Sequence, residues 1–145
     1  MTPRRIFLLS LSLGLVGLAW TLRPSAGAAD TQDKEALAAA EAWLKLVDAQ
    51  DYGKSWDEAA SFFRGAVKKG QWIEAVKGVR GPIGALKSRK VSSATPATEL
   101  PGAPDGHYLI IQYSSSFANK ANATETVTPM KDQDGRWRVS GYYVK

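Results

Sequence analysis

"HYLIIQYSSSF", His107 to Phe117, is the stretch that decides the fold. In an extended chain Leu109, Ile111, Tyr113 and Phe117 fall on one side, and Tyr108, Gln112, Ser114 and Ser116 on the other, with Ile110 as the exception. That period of two predicts a half-buried strand whose apolar set faces a helical layer. Downstream, "NATETVTPM" (122–130) and "RWRVSGYYV" (136–144) read as third and fourth strands, and upstream "SRKVSSAT" (88–95) reads as the first. The turn-rich segments "PATELPGAPDG", "ANKA" and "KDQDG" separate them. On the last strand Trp137, Val139 and Tyr143 are expected on one face and Arg138, Ser140 and Tyr142 on the other, with Gly141 marking a bulge.

Before Lys87 the period is helical. Leu37, Ala40, Trp43, Leu44 and Val47 recur at spacings of three and four between Asp33 and Gln50, and Gly53 is expected to close this helix in the left-handed conformation. Ser55 and Glu58 then stand at the spacing of a capping box, predicting a second helix that runs to about Phe63. A third uses Trp72, Ala75, Val76 and Val79 and is interrupted near Pro82, with Ile83 and Leu86 extending its stripe. Three helices followed by four antiparallel strands make an α+β fold.

The N-terminus has the three parts of a secretory signal peptide. Arg4 and Arg5 precede an apolar run from Ile6 to Leu22, and Ala26-Gly27-Ala28 supplies a small-residue cleavage site. The expected division is therefore a signal peptide over 1–28 and one domain over 29–145. An uncleaved N-terminal anchor on the membrane surface is the alternative, because the run approaches the lower limit for a spanning helix. Cleavage would remove three arginines and no acid, lowering the formal charge from +5 to +2. The absence of cysteine excludes disulfides, thiolate catalysis and thiolate zinc sites.

The blocks "AAEAWLKLVDAQDYGKSWDEAASFFR", "RGPIGALKSRKV", "PGAPDGHYLIIQYSSSFANKA", "ETVTPM" and "DGRWRVSGYYVK" closely resemble, in order and spacing, the bacterial exported-protein family catalogued as domain of unknown function 4019. The resemblance implies a bacterial envelope protein, periplasmic or secreted. It also implies a compact relative of the nuclear-transport-factor-2-like (NTF2-like) or cystatin-like folds, with helices on a curved sheet. It implies no activity, since such folds host enzymes and binding modules alike.

Few residues suggest chemistry. Asp57 and Glu58 resemble a carboxylate pair beside Trp56, but neighbouring helical residues point about a hundred degrees apart and do not converge on one atom. His107 is the only histidine and is expected to be exposed at a strand start. "DQDG" lacks the closing glutamate of a calcium loop and reads as a hairpin turn. No nucleophile elbow, phosphate loop or dinucleotide fingerprint is present. No catalytic residue, metal or cofactor is expected. If the sheet curls round the helices as the resemblance implies, Arg89 and Glu125 are the residues to expect as an ion pair or pocket pair, because charges among β-formers are either solvated or buried and paired.

Charge patterning gives the other candidate site. Arg64 to Lys90 holds eight cations and one acid, Glu74, so Lys68, Lys69, Lys77, Arg80, Lys87 and Lys90 form a candidate basic surface. The alternative is a solvated helix face with an edge strand guarded against aggregation by Lys and Arg. For an exported chain the matching partner is an envelope protein or an anionic envelope component, and not nucleic acid. The function expected is a non-catalytic binding or protein-interaction module. A small pocket-based enzyme or ligand carrier with Glu125 as acid or base is the alternative.

Overall fold

The computed structural model describes residues 26–145. The expected leader lies outside the described residues, apart from Ala26–Ala28 at the start of the first helix. Among the described residues four helices precede four strands: α1 (Ala26–Asp48), α2 (Tyr52–Asp57), α3 (Ser61–Ala66), α4 (Lys69–Ile83), β1 (Leu86–Ala97), β2 (Tyr108–Phe117), β3 (Lys120–Lys131) and β4 (Trp137–Val144). The strands form one antiparallel sheet in chain order, as consecutive hairpins dictate.

α1 buries Ala36, Ala40, Trp43, Leu44 and Val47, one stripe at helical spacing, against β4, β3 and β2. The opposing sheet face supplies Leu109, Ile111, Tyr113, Val127 and Val139. β1 is an edge strand that the helices leave largely exposed, which suits its lysines and Pro96. The tight β2–β3 turn seals the end of α4: Asn119 donates from its backbone to Ile83 O at 2.8 Å and from its side chain to Pro82 O at 3.1 Å. Pro82 thus sits inside the last turn of α4, and Gly84 (φ 79°) ends the helix.

Four expectations need correcting. The segment expected as a single second helix is two, because Ala59 and Ala60 are fully buried and the Ala60 amide leaves the helix to donate to Val139 O at 2.8 Å. Ser55 is not a cap. It lies inside α2, 0% exposed, where its Oγ donates to Tyr52 O at 2.7 Å and accepts Trp72 Nε1 at 2.9 Å, while its carbonyl accepts Trp43 Nε1 at 2.8 Å. Nor does Gly53 close α1. Gln50 does so at φ 61°, with Gln50 N donating to Val47 O and Asp51 N to Leu46 O, the two bonds of a Schellman motif.

The bulge near Gly141 reverses the outer end of β4. Thr128 pairs with Gly141 while Pro129 pairs with Val139, leaving Ser140 as the extra residue. Val139 and Tyr142 consequently face the same core, three residues apart, and Tyr143 is 50% exposed. The expected faces of Tyr142 and Tyr143 are therefore exchanged.

Candidate functional site

Beneath the end of α1 lies a cluster of buried charge. Glu125 on β3 points into the helical side of the sheet and is 0% exposed. Such a carboxylate is tolerable only if its lone pairs are filled. Arg89, across two strands on β1, donates Nε to Oε1 at 2.7 Å and Nη2 to Oε2 at 3.0 Å. Ser115 Oγ donates to Oε1 and Tyr142 OH to Oε2, both at 2.6 Å. Every donor comes from a strand, so the alternation of the sheet builds the cage.

Arg89 also grips a second carboxylate. Its Nη1 and Nη2 donate to Asp48 in the last turn of α1 at 2.7 and 3.0 Å, and Arg80 Nη2 of α4 reaches the same Asp48 Oδ1 at 2.9 Å. The planar fork of arginine makes this double grip possible. Burial works against the Arg89 charge, but the hydrogen bonds to Asp48 and Glu125 outweigh it and hold the guanidinium above its usual range. Arg80 stacks on Phe117, its guanidinium carbon 4.8 Å from the ring centroid.

Burial first, then the Glu125 charge, pushes the Tyr142 phenol well above its usual range. Tyr113 is pushed up to about 12, again by burial first and then by Glu41. Neither phenol is poised to lose a proton near neutral pH. Two guanidinium cations and two carboxylates balance, and both Glu125 oxygens are engaged. Chemically the arrangement locks α1, α4, β1, β3 and β4 together and offers no free acid or base.

Among the basic-surface candidates, Lys68, Lys69, Lys77, Lys87 and Lys90 are exposed. Arg80 is a correction: it is 5% exposed and paired with Asp48, because it continues the buried i, i+4, i+8 stripe of Trp72 and Val76. Lys69 is engaged by Asp57 at 3.0 Å. That leaves Asp57 in a surface ion pair. His107 is exposed, and "DQDG" forms the β3–β4 turn with Gly135 at φ 81°.

Asp48, Ser115 and Tyr142 belong to the charged cluster but were not singled out as site residues in the sequence, and Arg80 was singled out only for the basic surface. Asp48 resembles an ordinary polar-face residue of α1, and Tyr142 is disguised by the bulge. The stripe of α4 did carry a signal for Arg80. At the far end of the sheet Asp132 caps α3, accepting from Ser61 N at 3.0 Å and from the Ser61 hydroxyl.

Among the described residues no group of three His, Cys, Asp or Glu side chains is placed to hold a metal ion, and no helix is long and apolar enough to cross a membrane. Val79 and Tyr143, 45% and 50% exposed, line a small apolar groove of about 160 Å³ with Trp72 and Val144.

No curated protein and no solved structure matches the chain. A family model does match, over residues 39–142, from the middle of α1 to Tyr142 of β4. That span takes in Asp48, Arg80, Arg89, Ser115, Glu125 and Tyr142, and the chain belongs to the family described as Protein of unknown function (DUF4019).

Proposed function

We propose that the chain is an exported envelope protein of bacteria acting as a non-catalytic binding or protein-interaction module, on an NTF2-like or cystatin-like scaffold. The observation that carries this reading is the state of Glu125: fully enclosed, with both oxygens accepting hydrogen bonds from within the fold. A catalytic acid or base must reach its substrate. The core beside it is filled by Trp43, Trp72 and Tyr142, whose rings lie 5.4–6.5 Å apart. Recognition then falls to the surface, where Val79, Tyr143 and the lysines of α4 and β1 are available.

The N-terminal sequence supports export, with cleavage ahead of Ala29 as the leading reading and an uncleaved anchor as its alternative. The test is cross-linking of the full chain in the native envelope, followed by mass spectrometry. Reproducible capture of one partner protein supports the reading. Turnover of a small substrate by the purified chain, with no captured partner, overturns it.

A further inference from the structure

An open groove of about 440 Å³ runs between the end of α1 and α4, within the size range of ligand sites. Tyr52 and Ile73 supply apolar walls, and Asp48, Gln50, Lys77 and Arg80 supply the polar lining. Two independent observations give this groove a purpose.

The first is Gln50. It occupies the left-handed position of the Schellman motif, φ 61°, where a side chain is disfavoured and glycine is the usual residue. Gln50 is exposed, so burial of its side chain does not offset the strain. Backbone strain retained at a groove rim points to a task for the side chain it presents.

The second is charge. The charged residues lining the groove are Lys77, Arg80 and Asp48, two cations against one carboxylate, and Arg89 and Glu125 behind them balance each other. Both arginines are engaged by those carboxylates, whereas Lys77 is exposed and has no ion-pair partner among the described residues. The groove lining thus carries one cation in excess.

We propose that this groove binds a small monocarboxylate with an apolar body. Its carboxylate is held by the Lys77 ammonium and the Gln50 amide, and its body lies against Tyr52 and Ile73. A single excess charge matches a monoanion, whereas a dianion such as a phosphate monoester would leave the site negative beside Asp48. This site goes beyond the interaction reading, since it requires no protein partner.

The test uses the purified chain, backbone-amide NMR and three probes: N-acetyl-alanyl-alanine, its C-terminal amide and inorganic phosphate. The free carboxylate should shift Gln50, Lys77, Gly81 and Gly84 saturably, and the amide and phosphate should not. Lys77→Ala, an exposed change, should weaken binding about tenfold, the loss of one charge-assisted hydrogen bond. Gln50→Gly should unfold no more easily than the native chain and yet bind less tightly. The proposal is overturned by an absence of saturable shifts in the groove, by equal binding of the amide, by preferential binding of phosphate, or by a Gln50→Gly chain that binds as the native one does.

Discussion

Arg89 and Glu125, thirty-six residues apart in the chain, meet through two parallel hydrogen bonds of 2.7 and 3.0 Å. The same guanidinium spans the gap to Asp48. β1 is otherwise attached mainly through its ladder to β2, so Arg89 is its charged link to the helical layer.

Removing that link leaves a buried carboxylate unpaired. Arg89→Met should destabilise the fold by about 3–5 kcal/mol. Arg89→Lys, which keeps the charge and loses the fork, should fall between the variant and the native chain. Urea denaturation measures both, and a native-like midpoint for Arg89→Met would remove the cluster from the stability account.

Ser55 holds two indoles together. Ser55→Ala deprives the buried Trp72 N–H of its acceptor and should cost about 1–3 kcal/mol, more than the loss of an ordinary helix cap at a solvated site. Denaturation followed by tryptophan fluorescence reports the loss directly. A change of only a few tenths would mean that water replaces the hydroxyl.

Gln50→Gly should act in the opposite direction. Relief of the left-handed side chain at the end of α1 predicts a gain of about 1 kcal/mol. Thermal unfolding checks it, and a lower midpoint would show that Gln50 has a stabilising role in the free protein.

Acid should loosen the β3–β4 turn through Asp132. Burial alone would raise its carboxyl pKa, but the Ser61 hydroxyl and amide, the Gln133 amide and the Arg138 charge outweigh it and hold it below the usual value. A folded pKa below the unfolded one gives stability that is complete above roughly pH 4 and lost as pH falls through the folded value. Asp132→Asn should therefore flatten the pH dependence of unfolding in the acid range. Asp134, held low by its hydrogen bonds from Arg138, leaves a residual slope in both proteins. Identical slopes would show that Asp132 makes no such contribution.

How much of this was legible depends on how local each signal is. The four strands and the buried face of α1 follow from periodicity, which Leu109–Ile111–Tyr113 and Ala40–Trp43–Leu44–Val47 display openly. Ser55 shows the limit of motif reading: its spacing to Glu58 fits a capping box, but burial between Trp43 and Trp72 gives it another role. One extra residue, Ser140, reverses the faces of Tyr142 and Tyr143, and nothing local states on which side of Gly141 the bulge falls. Asp48 acquires its partners only when α1 meets β1, a contact that depends on the assembled layers.

We propose that the charges around Glu125 hold the fold together while recognition lies on the surface. Envelope cross-linking of Glu125→Gln, at a temperature where its circular dichroism matches that of the native chain, tests this most directly. Tyr142→Phe, which removes a single donor to Glu125, serves as a milder second variant. Both folded variants should capture the same partner as efficiently as the native chain, and loss of capture by either would place Glu125 in recognition itself.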